Sequence, residues 1–163
     1  KNLYSTEAKE KIKKMAESID YAMMATDLKS QPFHAVPMST KEVDDDGNIW
    51  FLSNKNSTHN QHIEKENKTQ LIYADKGNFE FLSIYGRAHI STDRSKIKEL
   101  YGSGDDAWFD GEDDPNITAI KVVPEDAHYW DTKNGKVLSL LKMAQGAITG
   151  NEPDLGVQGD LKV

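Results

Sequence analysis

Apolar residues return every third or fourth position near the start of the chain. Ala8, Ile12, Met15, Ala16 and Ile19 share one face, which predicts an amphipathic helix over Ser5–Ile19. Ser5 or Thr6 is available as its N-cap, with Glu7 in the first turn. The period then changes. Tyr21–Thr26 is short and mostly apolar, residues 27–30 form a polar turn, and residues 33–40 read as extended, giving strand, turn and strand. Asp44, Asp45, Asp46 and Gly47 accept the backbone angles that reverse a chain, so they should close a hairpin into residues 49–52.

Residues 58–66 are polar around one apolar anchor, Ile63, and predict a short helix capped by Ser57 or Thr58. Residues 69–74 read as a strand and 75–78 as a turn. Residues 79–91 read as a long strand with Phe79, Phe81, Ile84 and Ala88 partly buried. Gly86 inside that strand predicts a bulge or a close approach. A helix over 95–101 leads into a loop, 102–116, whose Trp108 and Phe109 should pin it down. Two extended runs, 117–123 and 128–130, and an amphipathic helix over 137–148 follow.

Short strands joined by turns and small helices predict a mostly β, α+β fold: a chiefly antiparallel sheet curled into a barrel with helices at its ends. Neither a repeat nor a low-complexity linker divides the chain, and 163 residues suit one core. The expected organisation is one domain over residues 1–149 and a polar tail over 150–163, mobile or reaching across to a partner subunit.

Charge narrows the functional classes. The net charge of −7 repels phosphate backbones and anionic membranes, so neither nucleic acid nor a membrane is expected as a partner. The absence of cysteine rules out disulfides, thiolate catalysis and sulfur-ligated metals, and fits a reducing compartment. No apolar run is long enough to cross a bilayer, and the expected location is cytoplasmic.

Most motifs dissolve on inspection. Gly102-Ser103-Gly104 follows a helix and lacks the third glycine and the lysine-serine pair of a phosphate loop. Glu42, Asp44, Asp46 and Gly47 imitate part of a calcium loop, but its closing acidic position falls on Ser53. His59 and His62 share a helix face without a further ligand at recognisable spacing, and read as polar surface histidines. No strained elbow presents a serine for nucleophilic attack. His34, His89 and His128 lie in or beside strands, where a histidine is usually a satisfied wall residue.

An ordered set of fragments carries a resemblance. Residues 32–38 (PFHAVPM), then Asp46-Gly47 leading into Ile49-Trp50-Phe51-Leu52, then Ser57-Thr58-His59 resemble the flavin-mononucleotide split barrels of the pyridoxamine-phosphate-oxidase-like superfamily. Residues 83–88, Trp108-Phe109, residues 113–115 and Tyr129-Trp130-Asp131 are similar to its general-stress-protein branch. The resemblance implies a six-stranded split barrel forming a homodimer, with flavin mononucleotide (FMN) in clefts at the interface. It implies that Val36, Pro37, Met38, Ser39 and Lys41 run along the flavin ring. Leu52, Ser53, Asn54, Ser57, Thr58 and His59 would lie near ring and phosphate, and Trp108 and Trp130 would wall the cleft.

Val36 stands where the family usually has an arginine, and His59 where it has a lysine. Lys41, Lys55, His59 and the helix-start amides are the groups left to meet a phosphate. With only Arg87 and Arg94 in the chain, a second basic pocket for pyridoxamine phosphate is not expected. The first reading is a flavin-dependent oxidoreductase of unknown substrate. The alternative is a non-catalytic stress protein that sequesters flavin or another planar ligand, or binds a protein partner. Haem handling would need an axial ligand, for which only His34, His59 or His89 are available.

Overall fold

The computed structural model describes residues 1–132, 143–150 and 156–163. The elements run β1 (Leu3–Tyr4), α1 (Ser5–Ile19), β2 (Tyr21–Thr26), β3 (His34–Ser39), β4 (Glu42–Val43), β5 (Ile49–Asn54), α2 (Thr58–Lys65), β6 (Lys68–Asp75), β7 (Glu80–Ser91), α3 (Arg94–Leu100), a 3-10 turn (Ser103–Ala107), β8 (Ile117–Thr132) and β9 (Gly156–Lys162). Residues 143–149 are helical, and the rest of the helix expected over 137–148 lies outside the described residues.

Six strands carry the barrel in the order β3-β2-β6-β7-β8-β5, every ladder antiparallel. Among the described residues no ladder joins the two outer strands, β3 and β5, so the barrel is split rather than closed. The short β4 extends β5, while β9 lies antiparallel on β8 and takes β1 on its far side in parallel, which makes the sheet mixed. The apolar stripe of α1, from Ala8 to Ala16, closes one end of the barrel over Phe51, Leu71, Tyr73 and Ile84, all fully buried. At roughly 25 cal/mol per Å2, burial of such side chains is the main force holding α1 to the sheet.

Four local expectations are corrected. The residue before α1 is Tyr4, which makes no side-chain cap, because β1 feeds directly into the helix and no turn is left for Ser5 or Thr6 to fold back. In β7 the inward positions are Leu82, Ile84, Gly86 and Ala88, so the two-residue period turns Phe81 outward. Residues 117–132 form one strand rather than two, because β5 and β7 pair its first half and β7 and β9 its second. Within the segment read as a polar tail, Gly156–Lys162 pairs with β8 of its own chain and buries Leu161.

Gly86 behaves as its position suggested. The β7–β8 register shifts between Tyr85 and Gly86, and a Cβ on Gly86 would sit 2.3 Å from the Val123 carbonyl oxygen. The close approach is made by backbone, and only glycine fits it.

Candidate functional site

Where β2 ends, β3 begins and α2 starts, polar side chains from four elements meet. Ser57 caps α2 by accepting a hydrogen bond from the Asn60 amide at 3.2 Å, which fixes the helix start beside the end of β5. From β5, the Ser53 hydroxyl lies 2.5 Å from Nε2 of His59 and 3.4 Å from the Ser57 hydroxyl. Ser53 is buried because it sits on the inward side of β5, the face that also carries Ile49 and Phe51.

Two further histidines join this group. His34, at the start of β3, stacks on His59 with ring centroids 6.4 Å apart, and His62 meets His34 edge-on at 5.4 Å. Nδ1 of His62 lies 3.0 Å from the Thr26 hydroxyl at the end of β2. The electrostatics follow from this crowding. His59 is pushed down from 6.5 to about 4, first by burial and then by the neighbouring His34 and His62, so at neutral pH it is uncharged. Among the described residues no three histidines or acids are disposed to hold a metal ion.

The other residues expected at the site are distributed around the barrel. Val36 and Met38 pack on the core from β3, with Pro37 exposed between them, and the Ser39 hydroxyl donates to Asp20 at 2.6 Å. Lys41 is held in an ion pair with Asp105 at 2.6 Å, so its ammonium is engaged away from the cluster. Leu52 belongs to a second small core with Ile97, Leu100 and Ile117. The exposed Asn54 accepts from the Asn56 amide at 2.9 Å and shapes the turn into α2, while Thr58 faces solvent in the first turn.

Neither tryptophan reaches the cluster within this chain. Trp108 is 79% exposed after the 3-10 turn, whereas Phe109 packs on the second small core, so only one of the two aromatics pins that loop. Trp130, 41% exposed, leans on the His128 ring at 4.6 Å and lies on β8 well beyond the stretch that pairs with β5. It belongs to an outer-face row. Phe81 stands opposite Ala74 and Trp130, and Met23 stands opposite Pro37 and Ile72; Tyr21, Met23, Ile72, Phe81 and Trp130 are all exposed.

Thus Ser53, Ser57 and His59 are brought together, and His34, His62 and Thr26 are the partners that sequence reasoning missed. The signal was present in the three-residue spacing of His59 and His62 on α2 and in the alternation of His34 with Val36 and Met38 along β3. Their convergence depends on how α2 docks, which no local pattern reveals.

Comparison with known proteins agrees with this architecture. The family described as Pyridoxamine 5'-phosphate oxidase like matches residues 7–154. Among curated relatives, Protein bli-3 of Neurospora crassa is 26% identical over 63% of this chain and 53% of its own length. General stress protein 26 of Bacillus subtilis is 28% identical over 37% of this chain and 43% of its own length. The chain thus spans about half the length of the curated relatives it matches. Among solved structures, a protein assigned as general stress protein 26 from Jannaschia sp. CCS1 superposes with a TM-score of 0.79 at 25% identity, covering 96% of this chain and 98% of that one. The general stress FMN/FAD binding protein of Xanthomonas citri gives 0.66 at 26% identity, over 78% of this chain and 90% of that one.

Proposed function

The chain belongs to the pyridoxamine 5'-phosphate oxidase-like family, and from that premise we propose that it binds flavin mononucleotide as a homodimer and serves as a flavin-dependent oxidoreductase. The observation that carries this reading is the Ser53–Ser57–His59 cluster at the start of α2. Two hydroxyls, an imidazole and the first amides of an eight-residue helix form a donor set that fits a phosphate monoester. The Xanthomonas citri relative, an FMN/FAD binding protein, supports the same ligand class.

When bound, the flavin supplies the redox chemistry. The chain's own residues would bind and orient it: Ser53, Ser57 and His59 would meet the phosphate, and the outer strand β3, from Val36 to Ser39, would run along the ring. The exposed apolar row on the outer sheet face supports a second copy of the chain as its cover, since an isolated subunit leaves Tyr21, Met23, Ile72, Phe81 and Trp130 in water. A second copy would also bring aromatic rings, Trp108 and Trp130 among them, to a cleft they do not reach within one chain.

Oxidation of pyridoxamine phosphate is not the reaction we propose. Arg87 is paired with Glu125 at 2.5 Å, and Arg94 is spent on the carbonyls of Glu112, Asp114 and Ile117, so both arginines already have partners. A second reading, sequestration of flavin or another planar ligand without turnover, is favoured by one observation: His59 is neutral and Lys41 is tied to Asp105, so neither offers a free positive charge to the ligand.

The test is to incubate the purified protein with excess FMN, desalt it on a sizing column, and follow oxidation of reduced nicotinamide with an electron acceptor. A flavin band on a dimer with turnover is the expected result. Flavin held stoichiometrically without turnover would move the protein to the sequestering reading. A colourless protein would remove flavin from both readings.

A further inference from the structure

We propose that His34, His59 and His62 form a proton-coupled anion site: the cluster takes up a phosphate monoester together with a proton, so that the ligand's charge is met by an imidazolium that exists only in the complex. The identity of the ligand as FMN rests on the reading above, and the proton coupling rests on the geometry of the cluster.

The three rings come from two elements and stand close enough that charging one opposes charging the next. His59 stacks on His34 at 6.4 Å, and His62 meets His34 edge-on at 5.4 Å. One ring nitrogen of His59 and one of His62 is occupied by a hydroxyl, from Ser53 and Thr26 respectively. Their other ring nitrogens, Nδ1 of His59 and Nε2 of His62, make no hydrogen bond among the described residues.

The groups that face His59 are few. From β3 comes His34, from α2 comes His62, and from β5 and the α2 cap come the Ser53 and Ser57 hydroxyls. Of these, only the two histidines can carry a charge, and burial followed by these neighbours holds His59 neutral. Neither Lys41 nor Lys55 is bonded to the three histidines. Lys41 is paired with Asp105, and Lys55 lines a separate hollow of about 270 Å3 with Arg94 and Asp113.

A dianion arriving in this setting reverses the balance, because an opposite charge at close range favours the protonated ring. Binding and protonation then assist each other by the same factor. The expected signature is specific. Full coupling requires the dianion to lift the His59 midpoint from about 4 to above about 8 in the complex, and affinity then rises about tenfold for each unit of falling pH between about 8 and 6. Below about pH 6 the monoester brings its own proton, and the rise should flatten.

The experiment measures dissociation constants for FMN and for riboflavin, which lacks the phosphate, by flavin fluorescence from pH 5.5 to 8. The wild-type protein and His59→Lys are compared. In the wild type, FMN affinity should climb more than tenfold from pH 8 to 6.5 while riboflavin stays flat. In His59→Lys, FMN affinity should be nearly independent of pH. Equal, pH-independent binding of FMN and riboflavin by the wild type would overturn the proton-coupled site and leave flavin binding standing. If neither flavin binds, the flavin reading has failed, and inorganic phosphate titrated against the histidine ring resonances decides the site alone. A phosphate-dependent rise in the His59 titration midpoint upholds it, and an unmoved midpoint overturns it.

Discussion

Two polar clusters lie on either side of β5, and they solve opposite problems. On the β4–β5 hairpin, Asp44 accepts hydrogen bonds from the Asp46 and Asn48 amides at 3.0 and 2.9 Å, from the Asn48 side chain at 3.3 Å and from Trp50 Nε1 at 2.8 Å. Around it Lys96 pairs with Glu42 at 2.6 Å and lies over the Trp50 ring at 4.6 Å. Asp44, Glu42 and Lys96 each have partners within the chain. At the start of α2 the three histidines face hydroxyls and each other, with no fixed counter-charge among the described residues. A cluster that builds structure satisfies its charges internally, whereas a cluster that meets a ligand leaves that work to the ligand.

The largest effect expected from this contrast is on the hairpin. Asp44→Ala removes four hydrogen bonds to a carboxylate, several of them partly buried, and should cost about 3 kcal/mol in urea unfolding. The pH response of flavin affinity should survive in whatever folded protein remains. If that response disappeared while the protein stayed folded, the two clusters would not be independent.

The two clusters should also separate along the pH axis. His59 has a folded value depressed below its unfolded one, so its neutral form is favoured on folding. Its contribution is present above about pH 6.5 and is lost as pH falls to about 4, amounting to about 3 kcal/mol at most for a ring that solvent partly reaches. Asp44 is pulled up by burial, but the hydrogen bonds from Trp50, Asn48 and Asp46 outweigh this and hold it below 3.8. Its contribution is therefore lost only as the pH drops below that range. Stability measured from pH 7 to 3 should fall in two stages, and His59→Asn should flatten the upper stage alone.

Smaller effects sharpen the boundary of the site. Trp130→Ala, on the outer face, should weaken self-association by about 2 kcal/mol on a sizing column at low concentration and lower flavin occupancy with it. Unchanged association and occupancy would take Trp130 out of the interface. Lys41→Met should cost about 1 kcal/mol of stability through the lost Asp105 pair and leave FMN affinity within about twofold. A large loss of affinity would return Lys41 to the site.

How far the sequence disclosed this arrangement depends on which interactions set each element. α1, β2, β5 and the Asp44–Gly47 reversal were legible because their signals are local: a helical period, an apolar run and a turn whose glycine sits at φ 85°. β9 was not. Its inward positions are Val157, Gly159 and Leu161, one of them without a side chain, and the strand exists because β8 and β1 pair with it from far along the chain. Phe81 was misjudged because an aromatic in an apolar strand looks internal until the phase of its neighbours is fixed by the sheet.

The site was half legible for the same reason. Ser53, Ser57 and His59 lie within one local turn and could be grouped from their order. His34 arrives from another strand, and Lys41 looked available until Asp105, distant in sequence, captured it.

The central claim is that His59, neutral in the free protein, acquires its charge with its ligand, and calorimetric titration of FMN at pH 7.5 in two buffers of different ionisation enthalpy tests it most directly. Uptake of about one proton per FMN bound is predicted. Binding with no net proton exchange would contradict the account.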